Sequence, residues 1–154
     1  MSAAQGPTGE FGASIVESGP WAGWSAWSGV DPFEDNAAAF YFRRDPGGAI
    51  RCALRCEHKQ LNGAGFMHGG AIMTFADYSL FAVAQDELAG GRGVTVTLNG
   101  EFVGAAKEGD LVESTGEVIR AGRSLIFIRG LIVVGAEPIM SYSGVIKRMN
   151  GSRA

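Results

Sequence analysis

Asn62-Gly63-Ala64-Gly65-Phe66-Met67-His68-Gly69-Gly70 runs without a break into Ala71-Ile72-Met73-Thr74-Phe75-Ala76-Asp77-Tyr78-Ser79-Leu80-Phe81-Ala82-Val83-Ala84. A Gly-rich turn bearing a histidine opens a helix that is apolar nearly all the way round, and such a helix is expected to be buried. Asp77 sits near its middle. A buried carboxylate must be paired, hydrogen-bonded or protonated, because an isolated buried charge costs several kcal/mol or more. Asp77 is therefore the first candidate for chemistry.

Outward from this helix the chain reads as strands. Residues 38–43 and 49–56 are strand-like and are joined by Asp45-Pro46-Gly47-Gly48, a strong turn signal. The helix is expected to end near Gly90-Gly91. Four strand-like runs follow, at 93–103, 111–119, 124–134 and 138–148. Lys107-Glu108-Gly109-Asp110, Ala121-Gly122-Arg123 and Gly135-Ala136-Glu137 separate them, and turns this short imply antiparallel pairing of neighbours. The order β-β-α-β-β-β-β gives an α+β class: an antiparallel sheet wrapped around one long central helix, the only element long enough to cover a face.

The N-terminal part reads as an extension over residues 1–35, ahead of a domain at 36–149 and a short flexible end at 150–154. Residues 1–9 are expected to be a flexible tail. A short helix over 11–27 would place Trp21, Trp24 and Trp27 on one stripe, either covering an open end of the core or lining a substrate pocket. Asp31-Pro32-Phe33-Glu34-Asp35-Asn36 reads as a loop.

With 154 residues the chain is expected to hold one domain with a real core. Its 46% apolar and 19% charged residues describe a globular protein, and a net charge of −3 argues against nucleic acid as the main partner. The start has no basic and apolar signal segment, and the run around the central helix is too short and too interrupted for a membrane span. Cys52 and Cys56 are the only cysteines. They read as reduced thiols in a cytoplasmic protein, and with His58 they fall short of a metal site.

Three features could act together. The N-terminus of the helix at His68-Gly69-Gly70 offers free N–H groups and the positive dipole end to a developing oxyanion. Asp77 supplies a carboxyl, and Thr95, on the strand after the helix, supplies a hydroxyl. Thr74, one turn before Asp77, is the better candidate of Thr74 and Ser79 to hydrogen-bond it. Asp77 lies nine residues past His68, about 13 Å along a straight helix, so one protomer cannot bring both to one carbonyl. Two such helices lying antiparallel across a two-fold axis could, which predicts a homodimer with shared sites.

Asn62, Gly65, His68-Gly69-Gly70 and Asp77, with Thr95-Val96-Thr97-Leu98-Asn99 downstream, resemble the hotdog-fold acyl-CoA thioesterases of the phenylacetate-pathway (PaaI-like) family. The resemblance covers residues 36–149. It implies that the Gly69 N–H polarises a thioester carbonyl placed with help from His68 and Asn62. Asp77 of the partner subunit would act as general base or nucleophile, with Thr95 orienting the water or the acid. Thr97 receives no role, because relatives often carry an acid there. Gly70 and Thr74 are expected against the substrate. The substrate implied is an aromatic or short- to medium-chain acyl-CoA, with no cofactor beyond the coenzyme A it carries. Arg120, Arg123, Arg129, Lys147 and Arg148 are mostly a solvated face, from which one or two could hold coenzyme A phosphates. Dimers are expected to pair into tetramers. A non-catalytic acyl-CoA-binding regulator and an enoyl-thioester hydratase or dehydratase remain alternatives on the same fold.

Overall fold

Turns of two or three residues join the last three strands, and segments joined so tightly pair antiparallel. The computed structural model describes residues 9–149. Its strands are β1 (Ser14–Ile15), β2 (Ser25–Ala26), β3 (Tyr41–Arg44), β4 (Ile50–Arg55), β5 (Arg92–Phe102), β6 (Leu111–Ala121), β7 (Leu125–Val134) and β8 (Glu137–Met149). They form one antiparallel sheet in the order β1-β2-β3-β4-β6-β7-β8-β5. The connection from β4 to β5 must cross to the far edge, and helix α2 (Gly69–Val83) makes that crossing while packing on β4 to β8.

The inward side chains of α2 form the core with the sheet. Phe75, Ala76, Leu80 and Ala82 are fully buried against Leu54, Val112, Ile126, Ile132 and Ile146. The area removed from water is worth about 1.5–3 kcal/mol for a side chain such as Phe75. The helix lies close to β8 because Gly144 has no side chain, and a Cβ there would run into Leu80. The opposite face, with Met73, Thr74, Asp77 and Phe81, is only half-buried, so the helix is not sealed on every side within one protomer. Sheet and helix follow the sequence expectation.

Three local readings are corrected. No helix spans 11–27: Glu10–Gly12 is a single 3-10 turn, and β1 and β2 form a small antiparallel hairpin that adds to the sheet beside β3. Gly12, Gly19 and Gly23 adopt positive φ, which no helix accommodates. The tryptophans therefore share no stripe. Trp21 stacks on Tyr41 at 4.2 Å and Trp24 lies under the Arg43 guanidinium, whereas Trp27 stacks on the buried Phe42 at 4.4 Å. Because Tyr41 and Arg43 alternate with Phe42 along β3, the three rings straddle the sheet.

The stretch expected as a loop at 31–36 is instead helix α1 (Pro32–Ala37), with the Asp31 side chain capping Glu34 N–H at 3.0 Å and proline at its first position. The long helix gives way to a separate short turn, α3 (Gln85–Leu88), which closes on Ala89 in the left-handed region just before Gly90. The tail expected at 1–9 falls, except for Gly9, outside the described residues, as does the end at 150–154.

Candidate active site

The site residues hang on the loop before α2, on α2 itself, on β5 and on α1. The loop is braced at both ends. His68 N–H donates to Gln60 O at 2.7 Å and Met67 N–H to Ala106 O at 2.8 Å. The buried Gln60 donates through its side-chain amide to Ala37 O at 3.0 Å, which ties the loop to the end of α1. Asn62 Oδ1 accepts from Ala64 N–H at 2.9 Å and Phe66 N–H at 3.2 Å. That oxygen holds the Gly-rich turn in shape, so Asn62 acts on the loop's geometry through its carbonyl side.

His68 caps α2. Its Nδ1 accepts from Gly70 N–H at 2.8 Å, which leaves the proton of a neutral ring on Nε2. The Gly70 N–H is thereby used up, and the Gly69 N–H at the first helical position finds no acceptor among the described residues. Gly69 is thus the free donor at the positive end of a fifteen-residue helix. Phe102 packs beside it: a Cβ on Gly69 would sit 3.3 Å from the ring.

Asp77 is half-buried on the open face of α2. Burial pushes its carboxyl above the ordinary carboxylate range, opposed by the Thr95 hydroxyl, which donates to Asp77 Oδ1 at 2.5 Å; the Asp31 charge adds a smaller upward push. Thr95 faces it from β5, in step with Gly93 and just before a bulge. The pairing with β8 slips between Thr95 and Thr97, so the alternation of faces breaks at Val96. Thr95 and Leu98 turn inward and Thr97 stays exposed. The expectation that Thr74 would hydrogen-bond Asp77 is corrected. Its hydroxyl donates to Gly70 O at 2.8 Å, the i−4 carbonyl within reach of any helical threonine. Ser79 does the same toward Phe75 O. Thr74 still borders the hollow in front of Asp77.

Two hollows meet at Asp77. One, of about 300 Å³, is walled by Asp31, Phe33, Glu34, Met73 and Thr74. The other, of about 650 Å³, runs past Phe11, Trp27, Tyr78 and Phe81 toward Arg92. Sequence reasoning passed over Glu34, which α1 carries into both. Its carboxyl is pushed up to about 7 by burial first, then by the charges of Asp31, Asp77 and Asp35. The one available signal was the Asp31-Pro32 start of a capped helix, which turns Glu34 toward α2. Trp27, flagged as a possible pocket wall, does line the larger hollow and lies edge-on to Tyr78. His68 and Gly69 do not border it within the protomer.

No group of three or more His, Cys, Asp and Glu side chains suited to a metal ion occurs among the described residues. Cys52 is fully buried and its thiol is pushed up to about 12 by that burial, so it offers no thiolate. Among the described residues no helix is long and apolar enough to cross a membrane. A carboxylate held by a hydroxyl, a free helix-terminal N–H and a part-apolar hollow are the parts needed to add water to an activated carbonyl.

The family model of the thioesterase superfamily matches residues 64–137, a span that begins inside the Gly-rich turn and includes His68, Asp77 and Thr95. The Pseudomonas aeruginosa protein named "Putative esterase PA0474" is 33% identical over 115 residues, which are 74% of this chain and 86% of that one. Human acyl-coenzyme A thioesterase 13 is 32% identical over 81 residues, 52% of this chain and 57% of that one. Among solved structures, PA5202 of Pseudomonas aeruginosa superposes with a TM-score of 0.69 at 18% identity, covering 78% of this chain and 95% of that one. The Streptococcus mutans protein smu.793, solved with acetyl CoA bound, gives 0.67 at 20% identity and covers 82% and 98%. The chain belongs to the thioesterase superfamily, a family of thioester hydrolases, and its antiparallel sheet around a central helix is the hotdog fold.

Proposed function

We propose that this protein hydrolyses acyl-CoA thioesters at sites shared between two protomers, as the PaaI-like branch of the family does. The observation that carries the reading is Asp77: a desolvated carboxyl on the open face of α2, fixed by Thr95 at 2.5 Å. Asp77 draws a proton from water, and the hydroxide oxygen adds to the thioester carbonyl carbon. The charge that develops on the carbonyl oxygen is met by the Gly69 N–H and the positive end of α2. When the C–S bond breaks, the thiolate leaves and takes the proton back from Asp77, which restores the carboxylate. His68 and Asn62 hold the loop that presents Gly69, while Gly70 and Thr74 border the acyl group. A thioester needs no further activation than this.

Asp77 and Gly69 stand on one helix, so the carbonyl bound at one protomer's Gly69 faces Asp77 of the other. Dimer formation through β5 is supported by its place at the sheet edge and by the exposed Val94, Val96, Phe102 and Val103 on or just after it. Ile119, Phe127 and Leu131 leave exposed apolar area on β6 and β7, in the middle of the sheet, where two dimers could pair. The aromatic wall of the larger hollow supports an aromatic or short- to medium-chain acyl group.

The test is release of free thiol from a panel of acyl-CoA esters, including phenylacetyl and hydroxybenzoyl thioesters, by wild type and Asp77→Asn. Loss of the base should slow turnover by about 100-fold or more. Undiminished release by the variant would overturn the assignment of Asp77, and water addition without thiol release would turn the reading to a hydratase.

A further inference from the structure

Glu34 lies outside the matched family span, yet α1 packs on α2 and brings it into both hollows that Asp77 borders. Two carboxyls that share a partly desolvated space resist ionising together, and the proton that remains goes to the one with less support for its charge. The support is unequal. Asp77 Oδ1 accepts from the Thr95 hydroxyl at 2.5 Å, whereas burial and the neighbouring Asp31, Asp77 and Asp35 all press Glu34 toward its protonated form. Tyr78, one residue past Asp77, adds a buried hydroxyl with no partner among the described residues and lines the larger hollow with them.

We propose that Glu34 is a second carboxyl of the site that keeps its proton beside the ionised Asp77, so that the shared hollow carries one negative charge while the base acts. This rests on the reading of Asp77 as the base. A neutral Glu34 leaves a single charge beside the acyl group. Once Glu34 ionises, a second charge faces the region where the transition state gathers its own negative charge, and the hollow holds its water more tightly. The charged and titratable groups bordering the two hollows with Glu34 are Asp31 of its own segment, Asp77 and Tyr78 of α2 and Arg92 of β5, and a third hollow on the other side of Glu34 adds Asp35 and, after β4, Glu57 and Lys59. Lys59 is drawn away toward Asn36 O, to which it donates at 3.2 Å.

Two measurements on the full-length protein test this. Carboxyl-carbon NMR should show Glu34 titrating near pH 7 in wild type and at lower pH in Asp77→Asn, because the neighbouring charge is gone. The pH profile of kcat/KM should fall about tenfold per pH unit above that midpoint in wild type and stay level within about twofold in Glu34→Gln. A Glu34 midpoint that Asp77→Asn does not move, or a Glu34→Gln profile that matches wild type, overturns the proposal. Full activity of Asp77→Asn would instead overturn the assignment of the base, and the NMR titration would still decide whether the two carboxyls are coupled.

Discussion

The central helix with its preceding turn and the N-terminal segment 9–37 build the two sides of one site by different means. α2 is held by burial, with Phe75, Ala76, Leu80 and Ala82 closed off against the sheet. The N-terminal segment is held by a two-pair hairpin, aromatic stacking and a side-chain cap, and most of its surface stays open. The helix carries Gly69 and Asp77, inside the family span; the segment carries Trp27 and Glu34, outside it. A reaction type can thus sit on the rigid half of a fold while the lighter half shapes what reaches it.

Phe75→Ala should test the rigid half most severely. The ring is fully buried and stacks parallel to Phe40 at 5.7 Å, and its removal should cost about 3–5 kcal/mol in denaturant unfolding. Trp27→Ala should cost less, about 2 kcal/mol, because the half-buried ring loses its stacking on Phe42 and its hydrogen bond to Phe11 O at 3.2 Å. The two should also differ in function: Trp27→Ala should raise KM for bulky acyl groups more than it lowers kcat. Equal losses of stability would end the distinction between the two halves.

The same contrast explains what the sequence made legible. A fifteen-residue run whose polar side chains are only Thr74, Asp77 and Ser79 reads as a buried helix, and strands of ten to thirteen residues show their alternation, so α2 and the long strands were readable. The hairpin strands are two residues long and carry no period to detect. α1 announces itself only by Asp31-Pro32, a cap signature that looks like a turn when no apolar period follows. Asp77 stood out because a carboxyl in an apolar helix conflicts with its surroundings. Glu34 did not, because an acid in a polar stretch conflicts with nothing until folding sets it against Asp77. The bulge at Thr95 was hidden as well: strict alternation puts Thr95 and Thr97 on one face, and only the slipped register separates them.

Thr95→Ala sharpens the comparison inside the rigid half. It removes one hydrogen bond to a charged group, worth about 1.5–3 kcal/mol, so kcat/KM should fall about 10- to 100-fold. The hydroxyl favours the carboxylate, so without it the Asp77 carboxyl rises further and the acidic limb of the pH–rate profile moves to higher pH. Thr97→Ala, at the exposed neighbour, should leave that limb in place. A matching shift in both variants would place the effect in the strand's stability instead of in the bond to Asp77.

The smallest effect belongs to the open half, in the stability of Glu34→Gln as a function of pH. Folding raises this carboxyl from 4.5 to about 7, so the folded chain binds its proton more tightly than the unfolded chain does. The resulting stabilisation is complete below the unfolded value of 4.5 and is lost as pH rises to the folded value of about 7, beyond which no more is lost. Glutamine has the shape of the protonated acid and titrates nowhere in this range. The variant should therefore match wild type in Tm near pH 4 and exceed it modestly at pH 8, solvent screening of the half-exposed group keeping the gain small. A constant difference in Tm at both pH values would mean that Glu34 contributes through packing alone, and the N-terminal segment would then supply the site with shape but not with charge.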